Sequence, residues 1–413
     1  MRIIHTADWH IGRTLAGHVR DHEHRAVLAE VVSIVARCEA DALVIAGDVF
    51  DHQNPSGEAQ RLFYETLVAL KQVRPQLQIV VTSGNHDSAG RLEAPRQLLE
   101  AMGVHVVGNV RRVAGGIDAM RHLVPLTDRR GEVAANVLAV SYPTAACLPP
   151  FGGIEIPDGA SPIAAATRAL YAELMEGTRR AQAGLPLIVT GHLHVAGGIE
   201  SEGAERRILV GGQHAVSPDV FPPEAAYVAL GHLHKAQGIG RETIRYSGSL
   251  LPLSATELSY AHGVTLLTLG NAGIEVGHLP LQRPVPFLRL PEHGDARLDE
   301  LGDRLKALEL PDMAVELRPF VQVRLAREGL GAGFRAELDR IADGFPVRVV
   351  ETRVAPASIE PADPDSGETF RRLAELEPAD LFRQAFERAH GAAPSPAHEE
   401  AFHMAAAAAA AEA

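Results

Sequence analysis

The chain has 413 residues, 46% hydrophobic, 22% charged and 5% aromatic, with a formal charge of -13, which is the profile of a soluble globular protein with room for two or three domains. No window approaches about 18 consecutive apolar residues, and the N-terminus opens on Arg2-Ile3-Ile4 rather than on a basic and then greasy leader, so the expectation is a cytoplasmic protein with neither membrane span nor secretion signal. Cys38 and Cys147 are the only cysteines, too few for a disulfide framework or a thiolate zinc site; a metal would need other ligands, and 20 His beside 52 acidic residues supply them. The acidic balance excludes a surface that is basic overall, so nucleic acid would have to meet a local site.

From Met1 to about Leu281, short apolar runs alternate with amphipathic stretches. Ala42-Leu43-Val44-Ile45-Ala46, Ile79-Val80-Val81 and Leu187-Ile188-Val189 read as strands buried on both faces, while Glu23 to Ala36, Gly57 to Gln72 and Leu92 to Ala101 carry helical spacing. A layered α/β domain over 1–281 is the economical reading. Pro280, Pro284, Pro286 and Pro291 then punctuate the chain, and a small α+β domain over 282–356 follows, with helices near Leu298 to Leu308 and Gly333 to Ala342 and strands at 321–325 and 347–351. After a Pro/Asp-rich linker, residues 368–390 place Phe370, Leu373, Leu376, Leu381, Phe382 and Phe386 on one helical stripe, suited either to a partner or to packing back on its own domain. Residues 393–413 end in an alanine run of low complexity.

Ligand-type residues fall at the predicted strand ends, where an open α/β sheet presents its loops. They are Asp8-Trp9-His10, Gly47-Asp48, Gly84-Asn85-His86-Asp87, Gly191-His192-Leu193-His194 and Gly231-His232-Leu233-His234. Residues two apart on an extended chain project to one side, so Asp8 with His10, and His232 with His234, can each converge on one centre. A single D-x-H is weak evidence, because an isolated histidine is more often a surface or satisfied core residue. Five glycine-flanked clusters together point to a metal pair of manganese, iron or zinc type rather than calcium or a lone magnesium.

This order of motifs resembles the calcineurin-like metallophosphoesterase superfamily, whose pattern runs D-x-H, G-D, G-N-H-D/E, G-H and G-H-x-H. Ile4 to Gly12 with Thr14-Leu15, Gly47 to Asp51, Val216 to Pro223, Tyr227 to His234 and Tyr246 to Ser249 narrow the likeness to the SbcD family of DNA double-strand-break nucleases, over essentially the whole chain up to the helical tail. The resemblance implies a metallophosphoesterase β-sandwich flanked by helices, with the capping domain and helical tail appended. It implies one metal on Asp8, His10 and His234, a second on Asn85, His192 and His232, and Asp48 bridging, the ions most simply manganese. By the same token His86 would protonate the departing sugar oxygen or steady the transition state, and Asp87 would orient it through its other ring proton. The fourth motif needs one histidine, which leaves His194 a residue that supports a ligand or a bystander.

Archaeal relatives carry a histidine where this chain has Asp51 followed by His52, so the bacterial branch is closer and contact of His52 with DNA stays open. Arg13, His18 and Arg20 are placed to meet phosphates or, more commonly for such residues, solvent. The family pairs with SbcC, an ABC-type ATPase, by a tail that corresponds to about residues 369–390. No G-x-x-x-x-G-K-S/T loop occurs here, so ATP hydrolysis would come from that partner. A local DNA groove could use Arg318, Arg324 and Arg353. The family also dimerises, and residues 60–70 and 92–102 are the candidate helices; the plain alternative is that they only cover the sheet. The implied activity is exonucleolytic cutting of duplex DNA and endonucleolytic cutting of single strands and hairpins. A phosphatase or cyclic-nucleotide phosphodiesterase of the superfamily would share every ligand, and a scaffold that lost catalysis is a rival from another class; the extra C-terminal domain and the complete ligand set argue against each.

Overall fold

The strand Ala42–Ala46 is buried at every residue and its side chains part with a period of two: Leu43 and Ile45 enter a core under helices, Ala42 and Val44 a core between two sheets. An apolar run without polar alternation is what such a doubly covered strand requires. The computed structural model describes residues 1–113, 116–156, 161–201, 215–270, 273–331 and 333–356, with scattered positions between 379 and 402.

Two six-stranded sheets pack face to face. The first has the order Gly273–Pro280, Gly263–Gly270, Arg2–Thr6, Ala42–Ala46, Gln78–Thr82, Val104–Val107, the last four parallel. The second has the order Gln237–Ile239, Arg241–Tyr246, Tyr227–Gly231, Leu187–His192, Val133–Leu138, Leu123–Thr127, with the middle four parallel. Ile3, Val44 and Val80 of one sheet meet Val137, Ile188 and Ala229 of the other. Helices Asp21–Arg37 and Gly57–Val73 cover the outer face of the first sheet through Val27, Val31, Phe63 and Leu67, and Pro162–Thr178 covers the second through Leu170 and Leu174. Ser56 caps the Gly57–Val73 helix, its Oγ accepting from Ala59 N at 3.1 Å.

The single helix expected over 92–101 is two, Ala89–Glu93 and Arg96–Glu100, parted at Pro95, whose ring supplies no N–H to an unbroken helical ladder. The appended domain holds three parallel strands, Phe287–Leu290, Phe320–Leu325 and Arg348–Val354, with helices Leu301–Lys306 and Phe334–Ala342 in its crossovers and its own core around Leu301, Val323 and Leu338. That core does not make it separate, since residues Met1–Ala355 form one compact unit. Phe320 is the seam: fully buried, it packs with Leu15, Ala255 and Phe287, and the guanidinium carbons of Arg348 and Arg20 lie 3.7 and 5.5 Å from its ring centre.

Residues 356–413 form a second unit. Of the expected stripe, Phe370, Leu373 and Leu376 lie outside the described residues, as does most of the docking segment 369–390 and the terminal alanine run. Within this unit the Phe382 ring stacks on Phe402 at 4.6 Å, and Phe386 meets His398 at 4.8 Å. No helix among the described residues is long and apolar enough to cross a membrane.

Candidate metal centre

Parallel strands of both sheets deliver their C-terminal loops to one end of the sandwich. After Arg2–Thr6 the chain runs beside the loop that follows Ala42–Ala46, with Asp8 N donating to Gly47 O, His10 N to Asp48 O and Ile11 N to Val49 O, each at 3.0 Å. To turn side chains inward, Asp8, His10 and Asp48 of this ladder, and His232 just after Tyr227–Gly231 of the other sheet, adopt positive φ of 53°, 45°, 50° and 104°. Such conformations cost non-glycine residues about 1–3 kcal/mol each and persist where function demands them. Glycines give the loops their close approach: a Cβ at Gly84 would lie 2.1 Å from Asp48 Oδ1, and one at Gly231 would lie 2.1 Å from Ala46 O.

The site residues converge in overlapping sets. Asp8, His10 and His234 each offer a ligand atom within 4.8 Å of the others, as do Asp8, Asp48 and His192, and His10, Asp48 and His86. Asp48 stands between histidines, its Oδ2 lying 3.3 Å from His192 Nε2 and 3.6 Å from His10 Nε2, while its Oδ1 accepts His86 N at 2.8 Å. Asn85 Oδ1 lies 3.0 Å from His192 Nε2 and 3.2 Å from His232 Nδ1. Asp8 accepts from His232 N at 3.0 and 3.2 Å.

The ring nitrogens test whether these residues suit a cation. His192 donates Nδ1–H to Ala46 O at 2.9 Å, so its Nε2 faces Asn85 Oδ1 and Asp48 Oδ2 either as the N–H of an imidazolium or as a lone pair sharing a cation with them. Without metal the first holds: burial alone would lower His192, but the facing Asp48 carboxylate raises it to about 9. His10 sets Nδ1 against Asp51 Oδ1 at 3.2 Å, burial lowers its pKa to about 4, and its buried Nε2 has no hydrogen-bond partner. A neutral ring with an orphaned lone pair aimed among carboxylates is the chemistry of a metal ligand. Burial also raises Asp8 to about 7 against the pull of His192 and His234, with the charge of Asp48 adding to it. Burial pushes Asp48 up as well, but His192, His10 and His86 together hold its carboxyl well below the usual range.

Sequence reasoning missed the groups that orient these ligands. Glu257, buried in the turn after Ser254, accepts from His234 Nδ1 at 2.8 Å through Oε1 and from Leu253 N at 2.8 Å through Oε2. No motif spacing ties it to His234. The tie expected between Asp87 and the His86 ring is replaced by another: the Asp87 carboxylate accepts from Val49 N, Phe50 N and Gly84 N at 3.1, 2.9 and 2.9 Å, bracing two ligand loops, whereas His86 Nδ1 lies 2.8 Å from the main-chain oxygen of Asp51. Burial lifts Asp87 to about 6, the nearby Asp48 charge adding to the rise.

Among the outer candidates, Arg20 is neither a phosphate contact nor solvated. It is 1% exposed and grips Glu23 through Nε and Nη2 at 2.8 Å each, with Nη1 on Pro252 O at 2.7 Å. His18 lies against Phe320, ring centres 6.3 Å apart. His194 pairs with Glu200 at 3.2 Å and joins no metal grouping among the described residues. Arg324 is paired with Asp295 at 3.0 Å, Arg353 with Glu351, and Arg318 Nε faces Met313 O at 3.4 Å, so acids or carbonyls already meet the arginines expected to line a groove.

Residues 1–236 match the family model described as calcineurin-like phosphoesterase, and residues 283–390 the one described as type 5 capsule protein repressor C-terminal domain. The chain is 48% identical over 394 residues to the SbcD subunit of the SbcCD nuclease of Rhodobacter capsulatus, with 94% of each chain covered. Its identity to the SbcD subunit of the Bacillus subtilis nuclease is 40% over 274 residues, covering 65% of this chain and 66% of that one. To the SbcD subunit of the Escherichia coli K12 nuclease it is 30% over 371 residues, covering 86% and 85%.

Proposed function

From the premise that the chain belongs to the calcineurin-like phosphoesterase family, and within it to the SbcD subunits of SbcCD nucleases, we propose that it is the DNA-cutting subunit of a complex with an SbcC-type ATPase, processing DNA ends in repair, recombination and replication. It is a metal-dependent phosphodiester hydrolase. In our reading it degrades duplex ends as a 3'-5' exonuclease and cuts single strands and hairpins as an endonuclease. Asp8, His10 and His234 would hold one divalent ion and Asn85, His192 and His232 another, with Asp48 serving both, manganese being the ion we expect on this mixed imidazole, amide and carboxylate set.

The observation that carries the reading is the approach of Asn85 Oδ1 and Asp48 Oδ2 to His192 Nε2, at 3.0 and 3.3 Å, beside the orphaned Nε2 of His10. When bound, such a pair of ions lowers the pKa of water and neutralises charge on a phosphodiester. The chain's own groups do the rest. His86, steadied at Nδ1 by the Asp51 carbonyl, gives a proton from Nε2 to the departing sugar oxygen. Asp87 braces the loops that carry Asp48 and His86. Glu257 and Asp51 fix the rings of His234 and His10.

The same reading divides the chain into a nuclease domain over 1–281, a capping domain over 282–356, a linker and docking segment over 357–392, of which 369–390 meets the ATPase, and a tail over 393–413. Residues 60–70 and 92–102 pair two copies into a dimer within a heterotetramer, where the 75% exposure of Leu98 and 39% of Met102 leave apolar surface to cover. The complex works in the cytoplasm, on the nucleoid during repair. The test is cleavage of blunt duplex and hairpin DNA with manganese, by the chain alone and with an SbcC-type ATPase and ATP. ATP-stimulated DNA cutting is expected. Hydrolysis of small esters only, indifferent to the ATPase, would place the chain among phosphatases or small phosphodiesterases instead.

A further inference from the structure

Asp51 lies at the end of the second ligand loop with its side chain 2% exposed, and it gathers more partners than a loop carboxylate needs. Oδ1 faces His10 Nδ1 at 3.2 Å and Arg13 Nη1 at 3.2 Å; Oδ2 faces His52 Nε2 at 3.1 Å; the main-chain oxygen holds His86 Nδ1 at 2.8 Å. Exposure rises outward along this set, from 2% at the His10 side chain to 28% at Arg13 and 63% at His52. One buried carboxylate thus links a metal-facing ring and the proposed proton donor to two nitrogen-rich side chains at the surface.

Arg13 spends one amino group on Asp51, and its Nε is buried without a partner. A guanidinium offers five N–H donors in a rigid fork that matches phosphate oxygens, so most of this fork is unspent. A nucleic-acid strand whose scissile phosphate reaches His10 and Asp48 must carry its neighbouring phosphate past the surface on one side or the other, and contacts to such phosphates set register rather than read sequence. We infer that Arg13, flanked by His52, binds the phosphate next to the scissile one, and that Asp51 is the positioning residue that fixes this clamp relative to His10 and His86. This rests on the nuclease reading above and names the part of the substrate that meets this rim.

Two substrates offered to the manganese-loaded full-length chain separate the clamp from the metal centre. Bis(p-nitrophenyl) phosphate has one phosphodiester and no neighbouring phosphate; a duplex oligonucleotide has both. Arg13→Gln should raise KM for the oligonucleotide about tenfold more than KM for the ester, and should lower the slope of log affinity against log salt by about one. Arg13→Lys, which keeps the charge and loses the fork, should restore the salt slope and part of the KM. His52→Ala should act in the same direction and less strongly. Asp51→Asn should reduce kcat on both substrates, and adding Arg13→Gln to Asp51→Asn should bring no further substrate-selective rise in KM beyond that of Asp51→Asn alone, which a merely structural carboxylate would not produce. If the wild type cuts DNA and Arg13→Gln shifts both substrates equally, or neither, the clamp is overturned while the nuclease reading stands. If the wild type hydrolyses only the ester, the nuclease reading fails first and takes the clamp with it.

Discussion

At the residue scale, three histidines of the candidate centre each have Nδ1 met by a partner: His10 by Asp51, His192 by the Ala46 carbonyl, His234 by Glu257. Such partners fix the tautomer and aim the lone pair, and losing one typically weakens metal affinity about 10–100-fold. Glu257→Gln should therefore loosen manganese by that factor while the fold persists, read by metal titration beside a thermal melt; unchanged affinity would mean that Glu257 only props the Leu253 turn. A second histidine acts on stability. His5 is fully buried, sets Nδ1 3.0 Å from the Tyr227 hydroxyl, and is lowered by burial from 6.5 to about 3. Between those values the unfolded chain binds a proton that the folded chain refuses, so stability falls as pH drops from 6.5 toward 3 by up to about 1.4 kcal/mol per pH unit. His5→Gln should flatten that part of the decline, measured as urea midpoints across the acid range; an identical slope would contradict it. The ligand-type residues were legible because five short motifs repeat one chemistry. Glu257 and Asp51 were not, since nothing in a carboxylate's sequence neighbours says which distant imidazole it will meet.

At the element scale, strand ends and glycines shape the centre. Ala42–Ala46 and its neighbours were readable as doubly buried strands from unbroken apolar runs, and the helices Asp21–Arg37 and Gly57–Val73 from their period. The break at Pro95 is masked in the sequence because apolar spacing on either side continues across it. The parallel order of the capping strands was also hidden, since strand direction depends on crossovers that composition does not record. Gly84 is the sharpest test of the loop geometry. A methyl group there would meet Asp48 Oδ1 at 2.1 Å and Asp48 N at 2.4 Å, so the two ligand loops must separate. Gly84→Ala should lose manganese binding and cost about 1–3 kcal/mol of stability; a variant that melts and binds metal like the wild type would show that the loops yield more easily than this packing allows.

At the scale of the whole molecule, two sheets with four parallel strands apiece turn their loops to the same end, and the capping domain closes on that framework through Phe320, Arg20 and Arg348. Despite the proline punctuation near 284, residues Met1–Ala355 form one unit, with an aromatic ring and two guanidinium groups far apart in sequence meeting at the seam. The central claim is that separate residues hold the metals and deliver the proton. It is tested most directly by measuring bound manganese and DNA cleavage together in Asp48→Ala and His86→Ala. The account predicts that Asp48→Ala loses both, whereas His86→Ala keeps its metal and its DNA binding while cleavage falls about 10²–10⁴-fold. Cleavage retained in metal-loaded His86→Ala, or full metal occupancy in Asp48→Ala, would contradict it.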